Sequence, residues 1–158
     1  MNKFVMKRSP FLWLLELLLV FLALGGLYGG ISFLVDPTGE MMQMNAVLPL
    51  LPVPDYTLPG IFLVTVMGVF PLLLAFGLIR LPAWSRADSL SAWSRHYWAW
   101  TGSVGVGIEL VVWLAVQGYL IGFQWPIRSI TSANGILIVL AAMIPGIEKY
   151  FRREAPAK

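Results

Sequence analysis

Four long apolar runs, at about 11–35, 61–81, 98–123 and 129–147, alternate with shorter polar or proline-rich stretches. Each run is close to the roughly 20 residues that an α-helix needs to cross a hydrocarbon core of about 30 Å. A membrane β-barrel would instead show segments of about ten residues with alternating polarity, and none is present. In lipid every backbone polar group must be satisfied internally, which leaves the helix as the only fitting element. The pattern predicts an all-α membrane protein, a four-helix transmembrane bundle forming one domain over 1–158. An outer loop over 36–60 joins the first two helices.

The first run follows Lys3, Lys7 and Arg8, as the apolar core of a signal peptide would. Such cores last only about 7–15 residues before a small-x-small cleavage site. Here the run continues past Gly25-Gly26 and Gly29-Gly30 to Val35, so a retained first helix is expected. Basic residues then set orientation. Lys3, Lys7, Arg8, Arg80, Arg86, Arg95, Lys149, Arg152, Arg153 and Lys158 fall on one side if both termini are cytoplasmic, and only Arg128 falls on the other. That asymmetry is the positive-inside pattern. It predicts a multi-pass membrane protein with both termini in the cytoplasm. Trp84, Trp93, Tyr97, Trp98 and Trp100 would girdle the inner interface, and Tyr56, Tyr119 and Trp125 the outer one.

Composition agrees with lipid as the solvent. The chain is 58% hydrophobic and 12% charged, with mean hydropathy +0.78, whereas a soluble domain carries about 25% charged residues. A net charge of +3 and a pI near 9.5 could suggest nucleic acid. The basic residues flank apolar runs instead of sharing a soluble face, so no nucleic-acid partner is expected. With no cysteine and one histidine, His96, no disulfide framework and no ordinary zinc, haem or iron–sulfur site is expected. No cofactor is implied. His96 itself reads as a solvated interfacial residue.

Ionisable residues at membrane depth are costly and are the default candidates for function. Glu109 lies eleven residues past Trp98, roughly 16 Å in at about 1.5 Å per residue. It shares a helical face with Gly102, Gly105, Val112 and Val116, with Gln117 two turns on, and should point into the bundle. It is either a proton- or cation-handling carboxylate or a neutral carboxyl bonding a neighbouring helix. Glu16, five residues past Phe11, lies only about 8 Å deep. It should snorkel to the inner surface or pair with Arg80. Gly25-xxx-Gly29, Gly26-xxx-Gly30 and Gly118-xxx-Gly122 permit close helix packing, within the bundle rather than at a dedicated dimer face. Pro71 cannot donate to the Met67 carbonyl, so a kink is expected there. Ser103, in Thr101-Gly102-Ser103-Val104-Gly105, has no base to activate it.

The outer loop is apolar, with Met41, Met42, Met44, Val47, Leu48, Leu50 and Leu51, and should lie on the membrane or fold over the bundle mouth. Pro49, Pro52, Pro54 and Pro59 prevent a continuous helix through its second half. Asp36-Pro37-Thr38-Gly39 carries turn chemistry. Thr57 or Leu58 followed by Pro59 fits the start of the second helix, where proline is tolerated. Asp36 and Asp55 read as caps of helix ends or turns.

The motif Asp36-Pro37-x-Gly39, the Leu/Pro run, Pro54-Asp55-Tyr56-x-x-Pro59-Gly60-x-x-Leu63 and Trp113-x-x-x-Gln117 resemble a family of small prokaryotic four-helix membrane proteins. The resemblance covers most of the chain from the first glycine pair onward and implies a prokaryotic inner (cytoplasmic) membrane, and that family brings no assigned activity with it. A looser similarity to DoxX-like proteins rests on size and topology, an analogy of fold and not of function.

Two functional readings follow. The first is a non-enzymatic structural or accessory subunit that packs with membrane lipids, other membrane protein subunits or a second copy. The second is a lipophilic small-molecule, ion or proton handler centred on Glu109, Gln117 and Pro71. The surroundings of Glu109 distinguish them. Isolated carboxylates leave an enzyme third.

Overall fold

The computed structural model describes residues 10–82, 84–122 and 127–152. Lys3, Lys7, Arg8, Phe123, Trp125, Arg153 and Lys158 lie outside the described residues, as does the side chain of Arg128. Among the described residues the chain is helical, and its one extended pairing is an isolated antiparallel bridge between His96 and Arg152.

The first apolar run forms α1, Pro10–Val35, with proline in the first turn, where no backbone N–H is needed. The second begins four residues earlier than the apolar pattern suggests. α2, Thr57–Phe62, holds Pro59 in its first turn, and Asp55 Oδ1 accepts the Thr57 N–H at 2.8 Å. A π-helical segment, Leu63–Val69, continues into α3, Phe70–Arg80, so Thr57–Arg80 runs as one apolar helix. The missing N–H of Pro71 is thus accommodated by a wider turn just upstream, with the Phe70 N–H reaching back to the Thr65 carbonyl. A short helix α4, Ser85–Leu90, leads to α5, Trp98–Ile121.

The fourth run differs from the expected 129–147 helix. α6 spans Ile127–Ala142, and after a break at 143–144 α7 covers Pro145–Phe151, bent by 65°. Pro145 cannot donate to the carbonyl of Ala141, which ends the straight helix. Among the described residues three helices are long and apolar enough to cross a membrane, or four if the bent pair is one span.

The spans alternate in direction. An added Cβ on Gly26 would meet the Met67 carbonyl at 2.5 Å, and one on Gly30 the Val64 nitrogen at 2.7 Å, so α1 lies antiparallel against the second span. Gly77 packs on Trp98 and Ala99, and Gly107 on Gly135 and Val139, which sets α3 against α5 and α5 against α6. Asn134 Nδ2 donates to the Leu18 carbonyl at 3.4 Å, so α6 closes back on α1. The described ends at Pro10 and Arg152 therefore lie at one end of the bundle. The core there is built from Leu12, Leu15, Leu19, Leu74, Leu78, Trp98, Ile138, Ile147 and Phe151. Interior packing with backbone-to-backbone approach at glycine is how helices associate when lipid is as apolar as leucine.

Candidate functional site

The loop at the opposite end packs on the end of α1 through Phe33 and is tied down by its own polar groups. Asp36 Oδ1 accepts the Thr38 hydroxyl at 2.6 Å and the Thr38 N–H at 3.1 Å, while Oδ2 accepts the Met41 N–H at 2.7 Å. The Thr38 hydroxyl and then the Met41 amide hold this carboxyl below its ordinary 3.8. Tyr56 stacks on Phe33 at 4.4 Å, donates its hydroxyl to the Met44 carbonyl at 2.9 Å and gives its N–H to Pro37. Its burial pushes the phenol above the ordinary tyrosine range. Gly39 takes φ 77°, and an added Cβ would strike the Tyr56 ring at 2.6 Å, so glycine is required twice over. Asp36, Gly39 and Tyr56 thus build the loop, while Asp55 and Pro59 serve the start of α2, and both carboxylates accept backbone N–H groups at local turns.

Halfway along α5, Glu109 is only partly buried. The sequence reading turned its face inward, yet Val112 and Val116 are about half exposed, at 55% and 48%, and Gly105 meets open space. The interior face of α5 is the other one, carrying Ser103, Val106, Gly107, Leu110 and Leu114. Because α5 is apolar on nearly all sides, sequence alone did not distinguish these faces. Gly102 lies against Leu74 and Trp113 stacks on Phe62 at 4.7 Å. Glu109 sits between them in sequence and within 40° of both at about 100° per residue. It therefore lies level with the π-helical segment, at the outward edge of the face that α5 turns to the second span. Gln117 is also partly exposed.

Glu16 departs furthest from expectation. It is buried, at 4% exposure, among Leu12, Leu15 and Leu19 of α1. Arg80 is exposed, and no ion pair links the two among the described residues. The depth arithmetic located Glu16 along the helix but said nothing of its direction around the axis. The sequence search passed over Asn134, buried at 4% on α6, because it considered only ionisable groups. An amide within an apolar span was the available signal. Its Oδ1, like Trp98 Nε1, is buried with no hydrogen-bond partner among the described residues. Ser103 donates back to the Ala99 carbonyl at 2.7 Å, an intrahelical arrangement.

His96 is not solvated. It stacks on Trp100 at 4.1 Å, its Nδ1 is 2.6 Å from the Ser94 carbonyl, and Nε2 faces Glu148 Oε1 at 3.7 Å. It thereby joins the 82–97 connection to α7. Among the described residues no group of three or more His, Asp or Glu gathers as metal ligands. Comparison with family models, curated proteins and solved structures returns no match.

Proposed function

We propose that this chain is an integral membrane accessory subunit that offers the outward edge of α5 to a transmembrane helix of another chain. The carrying observation is the position of Glu109, partly exposed halfway along an apolar span beside an open Gly105. A carboxyl at that depth facing hydrocarbon is costly, and a neighbouring helix can supply the missing hydrogen bond. Gly105 permits close approach, and Val112 and Val116 supply apolar contact on the same side. With the positive-inside distribution, both termini lie in the cytoplasm of a prokaryotic cell.

The chain has no cysteine, so one introduced at Val112 reports without background. In native membranes, Val112→Cys should give a cross-linked adduct whose mass separates a second copy from a different subunit. Adding Glu109→Leu should lower its yield, and adding Glu109→Gln should preserve it. Equal yields in all three backgrounds would remove Glu109 from the interface and refute the reading.

One observation favours a second reading, an ion, proton or lipophilic-ligand handler. The π-helical segment sits level with Glu109, and such wide turns frequently occur at functional sites. In that case Glu109→Gln would abolish proton or cation flux in proteoliposomes while leaving the cross-link intact.

A further inference from the structure

At the end of the bundle that carries both described termini, a cleft of about 400 Å³ opens between the α3 end and α7. It is lined by Leu81, Tyr97, Tyr150, Phe151 and Arg152. Several contacts hold its shape. The Tyr97 N–H donates to the Phe151 carbonyl at 2.8 Å, and the neighbouring bridge pairs His96 with Arg152. The Tyr97 hydroxyl donates to the Pro82 carbonyl at 2.7 Å, fixing the ring against the strand leaving α3. Leu81 is held at φ 50°, ψ 45°, a left-handed conformation rare for a side chain with a branched body. It lines the cleft with 42% of its surface exposed.

The lining divides into two chemistries. Leu81 and the Tyr97, Tyr150 and Phe151 rings make an apolar wall, with Tyr97 and Phe151 stacked at 6.1 Å. Arg152 is exposed at its edge and makes no ion pair among the described residues. Glu148, one helical turn before it, is instead turned to His96. Arg80 and Lys149, both exposed, adjoin the lining residues along the chain. A free phosphate would use the guanidinium and leave the wall bare, whereas a lipid would use both. Basic, aromatic-walled clefts at the ends of apolar helices lie at headgroup level, where anionic lipids are held.

We infer that this cleft binds an anionic phospholipid, its phosphate on Arg152 and the start of its acyl chains along Leu81 and Phe151. The site is independent of the α5 edge and needs only that the chain is in a bilayer. Flotation with vesicles of phosphatidylcholine alone tests that premise separately. The full chain is then reconstituted in phosphatidylcholine containing phosphatidylglycerol, extracted in mild detergent, and its retained lipid read by native mass spectrometry. Phosphatidylglycerol should be retained in preference to phosphatidylcholine. Arg152→Gln should cut that retention by about tenfold or more, as expected for losing a charge-assisted hydrogen bond. Arg152→Lys should recover part of it. Arg86→Gln, an exposed charge on α4, should leave it unchanged. Equal loss in Arg86→Gln would show diffuse surface charge and overturn the site. Displacement of the lipid from the wild type by inorganic phosphate would show a free-anion site and overturn the lipid assignment, whether or not Arg152→Gln folds. So would equal retention of phosphatidylcholine.

Discussion

The Gly26–Gly30 face of α1 and the Gly105 edge of α5 carry the same small-residue vocabulary and use it in opposite ways. On α1, Gly26 and Gly30 lie directly on the backbone of the second span, so close that a methyl group on either would overlap main-chain atoms. On α5, Gly105 and Gly118 meet nothing, and the residues beside Gly105 are exposed valines and a partly buried carboxyl. A small-xxx-small spacing therefore marks a surface fit for close approach without saying whether the partner is in the same chain. What separates the two faces is whether the chain's own backbone already occupies the groove, as Gly135 does at Gly107 on the other side of α5.

The largest effect should come from filling the closed surface. Gly26→Ala must push α1 away from the Met67 carbonyl, and overpacking of this kind costs about 3 kcal/mol. Thermal unfolding in detergent should show a large loss for Gly26→Ala and little change for Gly105→Ala. Equal losses would mean that the α5 groove is also filled by the chain itself, and the contrast would collapse.

Next comes the open face. Glu109→Leu should weaken association in bilayers by about 1–2 kcal/mol, the range of interhelical hydrogen bonds in lipid, without lowering the melting temperature. Glu109→Gln should retain association, because the amide can still donate and accept. Energy transfer between labelled chains, followed as lipid dilutes the protein, measures this. A melting temperature that falls in step with association would place Glu109 inside the bundle instead.

The apolar helices, their approximate ends and the apolar loop over 36–60 were legible in the sequence, because length and hydropathy act along one dimension. The Asp36 turn was legible too, since Asp-Pro-x-Gly is local chemistry. Direction around a helix axis was not. α1 and α5 are apolar nearly throughout, so Glu16 could be placed at its depth but not aimed inward, and Glu109 was aimed inward when its edge faces out. Proline chemistry was half legible. The absent N–H of Pro71 announced a disturbance, but whether a kink or a π turn would absorb it depends on α1 packing against 60–68. The expected 129–147 helix spans Pro145, and the 65° bend there shows the same missing donor winning.

A smaller effect tests where the closed region ends. Asn134 joins α6 to α1 through one long hydrogen bond to the Leu18 carbonyl. Asn134→Ala should cost only about 0.6 kcal/mol, the mean of such contacts within membranes. A loss as large as that from Gly26→Ala would make α6 as tightly bound to α1 as the second span is. Unfolding in graded denaturing detergent resolves the two.

The smallest effect concerns the cap over the closed pair, and its sign follows from Asp36. The Thr38 hydroxyl and the Met41 amide favour the carboxylate, so the folded group titrates below its ordinary 3.8. Their contribution is complete above that ordinary value, where Asp36 is ionised whether or not the loop is folded. It declines as pH falls below 3.8 and is gone once pH has passed beneath the lowered folded value. Protection of the Met41 amide from hydrogen exchange, corrected for the intrinsic pH dependence of exchange, should therefore be flat from neutrality to about pH 4 and then drop. Thr38→Val removes the largest stabilising contact on the carboxylate and should move the drop to higher pH. The Gly26 contact with Met67 involves no ionisable group and should keep its protection through the same range. If Gly26 and Met41 lost protection together, acid would be opening the helix pair itself. A profile for Met41 unchanged by Thr38→Val would mean that the loop is held by the Tyr56 stack on Phe33 and that Asp36 contributes little.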